Sequence, residues 1–309
     1  MGATIRTEQL TKRYGSTTAL DALDLEIEEG EVFGYLGPNG AGKSTTIALL
    51  LGLIRPTSGG ARIFDLDVWR DAPAIHRRLA YVPSDSNLWP SLTGEEALRF
   101  LGRIHGSVDE AYRTELISRY ELVVDKKVRA YSRGNRQKVL LVAAFASRAD
   151  LLLLDEPTSG LDPLMEQVFR ACVHEAHDRG QTVLLSSHIL SEVEALCDRV
   201  AMLRAGRIIE TGHLDVLRGL AAVRVHAELD AALDPHGPLA SIESLESIEG
   251  VHHVVVEGTT ITCDVTGSME PLLRVLAAVG VRRMTTHEPS LEELFVSHYG
   301  DAATVGEPA

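Results

Sequence analysis

Apolar and polar residues alternate through ATIRTEQLTKRYG (residues 3–15) and TALDALDLEIEEGEVFGYLG (residues 18–37), with breaks at glycines and charged turns. That period of two predicts antiparallel strands and hairpins. EVFGYLG then runs into a glycine-rich loop and a helix from about Lys43, and RRLAYVP predicts a short strand ending at Pro83. From Leu92 to about Val128 the spacing turns helical, and Thr93 with Glu96 reads as a capping pair at its start. LLLL (residues 151–154) and TVLLSSH (residues 182–188) are continuous apolar runs, the pattern of parallel strands buried on both faces. AMLRAGRIIETG predicts a hairpin turning at Ala205-Gly206.

After about Leu220 the texture changes. VRVHAEL, VHHVVVEG and TITCDV predict strands, SIESLESI and SMEPLLRVLAAVG predict helices, and VRRMTTHE and SLEELFVSHYG close the domain. An order near βαββαβ predicts a small ferredoxin-like sandwich. The expected domains are residues 1–219, with a helical subdomain over about 88–148, and an acidic α+β domain over 220–309. Each motif below occurs in one copy, so no internal duplication is expected.

Charge sharpens this division. The 309 residues carry a formal net charge of −14. From residue 221 onward there are four Arg and no Lys against fourteen Asp and Glu, a balance of −10. Such a tail disfavours a nucleic-acid groove, which needs cations for phosphates. Three widely spaced cysteines, Cys172, Cys197 and Cys263, form no CxxC pair and no zinc spacing, which fits a reducing compartment. No apolar run approaches the ~20 residues that cross a bilayer, and MGATIRTEQL has neither a signal-peptide core nor a myristoylation motif. Any membrane role is therefore expected to come through a partner.

Two segments carry chemistry. GPNGAGKST, comprising Gly37, Pro38, Asn39, Gly40, Ala41, Gly42, Lys43, Ser44 and Thr45, fits the phosphate-loop pattern GxxxxGK[ST] between a strand and a helix. Glycines let backbone N–H groups turn inward on phosphate oxygens, and the helix N-terminus adds partial positive charge. Lys43 supplies a point charge to the β/γ-phosphates of ATP, and Ser44 a hydroxyl to Mg²⁺. A glycine turn with a surface lysine is the bland alternative, and the flanking strand and helix weigh against it. LLLLDEPTSGLDP places two carboxylates at the end of a buried strand, where open α/β sheets bind ligands. Asp155 suits Mg²⁺ through water, and Glu156 suits polarisation of an attacking water.

A third segment, YSRGNRQKVLL (residues 131–141), opens like a helix capped by Ser132 yet gathers Arg133, Arg136 and Lys138 around Gly134. With DEPTSGLDP about twenty residues downstream and SSH beyond it, the chain resembles the ATP-binding cassette family over residues 4 to about 215. The resemblance implies an α/β P-loop NTPase: a RecA-like core with an antiparallel β subdomain and a helical subdomain. The small α+β C-terminal domain follows it. It also implies that the signature segment, Tyr131 to Gln137, caps the γ-phosphate of ATP held by a second cassette. Ser132, Arg133, Gly134, Asn135 and the D-loop residue Asp162 would then act in trans. The family's signature is usually LSGGQxQ. Here Tyr131 replaces Leu, Arg133 a Gly and Asn135 a Gln; Arg133 either adds a cation near the trans phosphates or points to solvent.

By the same resemblance Tyr14 stacks on adenine, although a core or surface tyrosine would look alike. His188 matches the switch histidine at the γ-phosphate, with a satisfied core histidine as the alternative. Lys43, Glu156 and His188 form the expected catalytic set. The Q-loop departs from the family, because Ser84 stands where Gln is expected; Ser84 or the adjacent Asp85 is the candidate replacement at the metal. Trp89 is either an exposed partner anchor or helical-subdomain core.

EPSLEELFVSHYG (residues 288–300) resembles the C-terminal segment of daunorubicin-resistance-type cassettes, although an amphipathic helix packing a small domain would read the same. The resemblance implies an ATP-hydrolysing subunit of an exporter of a drug or other hydrophobic compound. Its partners would be a separate ABC-2-type permease at the inner face of the cell membrane and a second cassette, as a homodimer with ATP bound. The competing readings are an importer ATPase and a nucleotide switch of a soluble machine in translation or DNA maintenance. The single cassette, the lack of heptads and the acidic balance disfavour the soluble machine.

Overall fold

The computed structural model describes residues 2–214, 216, 223–230 and 245–287. The chain divides into two compact units, Met1–Gly212 and His213–Ala309. In the first unit the alternating N-terminal pattern forms β1 (Ala3–Tyr14) and β2 (Thr17–Glu28), paired antiparallel. They join β4 (Ser58–Ile63) and β5 (Leu66–Asp67) in a four-stranded sheet of order β2-β1-β4-β5.

The second sheet is built from the apolar runs. β3 (Val32–Leu36), β7 (Leu151–Asp155) and β8 (Thr182–Ser187) are buried at every position. Strands covered on both faces need no polar alternation. With β6 (Leu79–Val82), β9 (Arg199–Arg204) and β10 (Arg207–His213) they give the order β10-β9-β3-β8-β7-β6. β6, β7, β8, β3 and β9 run parallel to one another. β9 and β10 flank the expected hairpin turn, where Ala205 (φ 46°) and Gly206 (φ 80°) both take the left-handed conformation.

Six helices complete the first unit besides α1 (Lys43–Leu50), which leaves the phosphate loop: α2 (Ala72–His76), α3 (Gly94–His105), α4 (Glu110–Arg119), α5 (Arg133–Ala146), α6 (Pro163–Asp178) and α7 (Leu190–Leu196). The capping pair is realised in full at α3. Thr93 Oγ1 accepts the Glu96 N–H, and Glu96 Oε2 accepts the Thr93 N–H. The helical stretch from Leu92 is two helices, because Gly106 closes α3 in a left-handed cap and Asp109 opens α4. α5 packs on α3, α4 and α6, with Phe145 of α5 against Phe169 of α6. One core runs from the antiparallel sheet through α1 to the face of the parallel sheet, from Ile5 and Leu20 to Ile47, Leu153 and Leu184.

The second unit has β11 (Val223–Leu229), β12 (Val251–Glu257), β13 (Thr260–Val265), α8 (Glu270–Val279) and β14 (Val281–His287). Among the described residues these strands pair antiparallel, in the order β12-β13-β11-β14. Leu272 and Leu276 of α8 share a core with Val225, Ala227, Ile261 and Cys263. That interleaved order is the one a split βαβ repeat produces. The first half of SIESLESI, residues 241–244, and the whole of EPSLEELFVSHYG lie outside the described residues.

The three cysteines are free and buried. Burial pushes the Cys263 thiol up to about 11 and raises Cys172 and Cys197 as well. Thiolate, the reactive form, is therefore scarce at neutral pH. Native protein at pH 8 is expected to resist iodoacetamide at all three positions, with full alkylation only in denaturant; mass spectrometry of the intact chain reads the difference.

Candidate active site

The site is set by where three neighbouring strands stop. Leu36 at the end of β3 pairs with Ser187 of β8, and Ser186 of β8 pairs with Asp155 at the end of β7. The phosphate loop, the acidic pair and His188 therefore leave the sheet from adjacent positions along one edge. This is the carboxyl edge, where open α/β sheets bind their ligands.

The loop's glycines are required by space as well as torsion. Gly42 caps α1 at φ 117°, and a Cβ there would lie 2.7 Å from Leu20 Cδ2 and 2.8 Å from the Ala19 carbonyl. A Cβ on Gly37 would meet the Leu203 carbonyl at 2.6 Å. Lys43 is buried; its ammonium donates to the carbonyls of Gly37 (2.5 Å) and Pro38 (3.4 Å) and lies 3.8 Å from Glu156 Oε1. Burial lowers its pKa, and the carboxylates of Glu156 and Asp155 oppose that fall. An open cavity of about 160 Å³ is lined by Ala19, Pro38, Asn39, Gly40, Ser44 and Thr45, with Lys43 and Glu156 at its wall.

Asp155 is buried, and burial raises its carboxyl above the usual range. The Ser186 and Ser84 hydroxyls and Lys43 pull it back down. Ser84 is thus beside Asp155, whereas the neighbouring Asp85 is exposed and accepts a hydrogen bond from Asn87 Nδ2 at 2.6 Å. The two candidates for the missing Q-loop glutamine are separated by this geometry. Asp155 also helps push the Tyr81 phenol up to about 12, after burial.

Glu156 sits in the left-handed region, at φ 47°. A side-chain-bearing residue held there stores roughly 1–3 kcal/mol of strain, which the surroundings must hold in place. Its N–H donates to the Ser186 carbonyl at 2.9 Å. Its Oε1 accepts a hydrogen bond from His188 Nδ1 at 3.1 Å. Lys43, Asp155, Glu156 and His188 thus converge, with Lys43 and His188 both within direct reach of Glu156.

The signature turn is built as a helix start. Ser132 Oγ accepts the Asn135 N–H at 3.2 Å, which leaves the hydroxyl proton to donate outward. Gly134 is in contact with the D-loop, since a Cβ there would be 2.3 Å from the Gly160 carbonyl. Arg133 does not simply point to solvent: Nη2 donates to the Ser84 carbonyl at 3.3 Å. Tyr131, in place of leucine, is buried, and its hydroxyl donates to the Val123 carbonyl at 2.6 Å. Asp162 caps α6, with Oδ1 accepting from Leu164 and Met165 N–H at 3.1 Å each. Its carboxylate is therefore committed locally. Tyr14 is half-exposed, with Lys12 Nζ 4.9 Å above its ring.

Trp89 proves exposed rather than core, in edge contact with Phe100 at 4.6 Å between ring centroids. Gln137 closes the signature segment and joins it to the acidic turn. It is buried and donates from Nε2 to the Pro157 carbonyl at 3.0 Å, tying α5 to the turn after Glu156.

The chain is similar to known proteins. The ABC transporter family profile matches residues 20–159. A daunorubicin resistance ATP-binding protein of Streptomyces coeruleorubidus is 35% identical, with 96% of each chain covered. The chain belongs to the ATP-binding proteins of ABC transporters. A bacitracin transport ATP-binding protein of Bacillus licheniformis is 33% identical over 99% of this chain and 100% of its own. A solved dimeric cassette in a post-hydrolysis state, bound to ADP and Pi, matches with a TM-score of 0.60 and 25% identity, covering 68% of this chain and 98% of that one. As a member of this family the chain is an ATPase with the RecA-like cassette fold. Among the described residues no helix is long and apolar enough to cross a membrane.

Gly42→Ala is expected to lower stability by about 1–3 kcal/mol, since it adds a clash to an unfavourable torsion. Urea denaturation measures that loss. Affinity for a non-hydrolysable ATP analogue, followed by calorimetry, is expected to fall about tenfold or more.

Proposed function

We propose that this ATPase energises export of a hydrophobic antibiotic or similar compound through a separate ABC-2-type membrane permease, held at the inner face of the membrane by that partner. The observation that carries the chemistry is the convergence of Lys43 and His188 on one carboxylate, Glu156 Oε1, at the mouth of the phosphate loop. The similarity to daunorubicin and bacitracin ATP-binding proteins along nearly the whole chain supports the cargo class.

ATP would lie along Gly37–Thr45, with α1 directing its N-terminus at the phosphates. Lys43 would exchange its loop carbonyls for β/γ-phosphate oxygens. Ser44, Asp155 and the nearby Ser84 make an all-oxygen donor set suited to Mg²⁺, which neutralises phosphate charge when bound. Asp85, the alternative to Ser84, is turned to Asn87. Glu156 would orient and polarise the attacking water, and His188 would hold Glu156 and face the γ-phosphate. Tyr14 is exposed enough to stack on adenine.

A second copy would complete each site in trans through the Ser132 hydroxyl, the Gly134 N–H and the start of α5. Arg133 and Asn135 would shape that turn, and Asp162 would act by capping α6 beside the D-loop. Binding then closes two cassettes on two ATP molecules, and loss of the γ-phosphate reopens them.

Glu156→Gln is expected to reduce turnover by roughly 10²- to 10⁴-fold while ATP still binds. The variant is expected to elute as a dimer with ATP on gel filtration. A monomer under those conditions would count against the two-copy site, and undiminished turnover against Glu156 as the base.

A further inference from the structure

Glu192 belongs to no motif considered so far. It lies in α7, just after His188, and is only 4% exposed. Its Oε2 accepts a hydrogen bond from the Ser187 hydroxyl at 2.7 Å. Ser187 Oγ in turn accepts the Ile189 N–H at 3.0 Å. One buried carboxyl therefore reaches, through a single hydroxyl, the residues on both sides of His188.

The other carboxyl oxygen, Oε1, is buried with no hydrogen bond of good geometry, although the Thr158 hydroxyl is near enough to lower the pKa that burial raises. Thr158 belongs to the turn that follows Glu156. The carboxyl thus sits beneath the two turns that carry Glu156 and His188. A half-satisfied buried carboxyl is a poor way to stabilise a helix, since an apolar side chain of similar size would generally do so better. Its placement makes sense as orientation. A displacement of about 1 Å at a reacting group can cost on the order of 10² in rate.

We propose that Glu192 is a positioning residue for ATP hydrolysis. Through Ser187 it fixes the Ser187–Ile189 turn, so that His188 Nδ1 stays within hydrogen-bond reach of Glu156 Oε1. This rests on the role given above to His188 and Glu156.

Steady-state ATPase measurements on the full chain test it, using Glu192→Ala, Glu192→Gln and Ser187→Ala, alone and combined with His188→Ala. Glu192→Ala and Ser187→Ala are each expected to lower kcat about 10- to 100-fold, the range seen when a group that orients a site residue is removed. KM for ATP should stay within about twofold, because an orienting group of this kind acts on the transition state. Glu192→Gln, which still accepts from Ser187, should recover most of the loss. Adding Glu192→Ala to His188→Ala should cost nothing further, because coupled residues are not additive.

An unchanged kcat in Glu192→Ala, or an equal fold-loss with and without His188, overturns the proposal. If Glu192→Ala fails to fold, Ser187→Ala, which deletes only one hydroxyl, decides the same question. Full activity in His188→Ala alone would remove the histidine's role and this inference with it. A disabled His188→Ala beside an unaffected Glu192→Ala removes this inference only.

Discussion

The parallel register of β3, β8 and β7 is the constraint on which the site depends. Leu36, Ser187 and Asp155 end neighbouring strands at nearly the same level, so the loops that follow leave the sheet side by side. Apolar burial holds the strands there. Each fully buried Leu or Val side chain contributes on the order of 1.5–3 kcal/mol, and every position of the three strands is buried. The polar residues that end them mark where the core stops.

Around that edge, burial and charge oppose each other. Lys43 and Asp155 are both driven toward neutrality by burial, and each is held back by the other and by Glu156 or nearby hydroxyls. One amine and two carboxyl groups are crowded at the loop mouth, with Glu156 strained in a left-handed backbone. Such strain persists only where neighbours over-determine it, and here the Ser186 carbonyl, Lys43 and His188 all hold that residue. The same economy extends to the signature turn. Gly134 touches Gly160, Arg133 reaches the Ser84 carbonyl, and Gln137 reaches Pro157. The turn that would address a second copy's ATP is therefore braced against the segments that serve its own.

Local pattern along the chain fixes the elements and the chemistry that are built from near neighbours. Continuous apolar runs mark β7 and β8, the Thr93/Glu96 pair opens α3, and GPNGAGKST forms the strand–loop–helix, because each follows from side chains a few residues apart. DEPTSGLDP and YSRGNRQ carry the family resemblance for the same reason.

Tertiary structure decided whatever depends on long-range neighbours. Ser84 rather than Asp85 lies beside Asp155, although the two are adjacent in sequence. Trp89 is exposed, Asp162 is committed to its own helix, and Arg133 meets a carbonyl 49 residues away. Glu192, unremarked in any motif, is buried under the histidine turn. Spacing along a chain cannot encode these facts, because burial and hydrogen-bond partners arise only when distant strands and helices are brought into register.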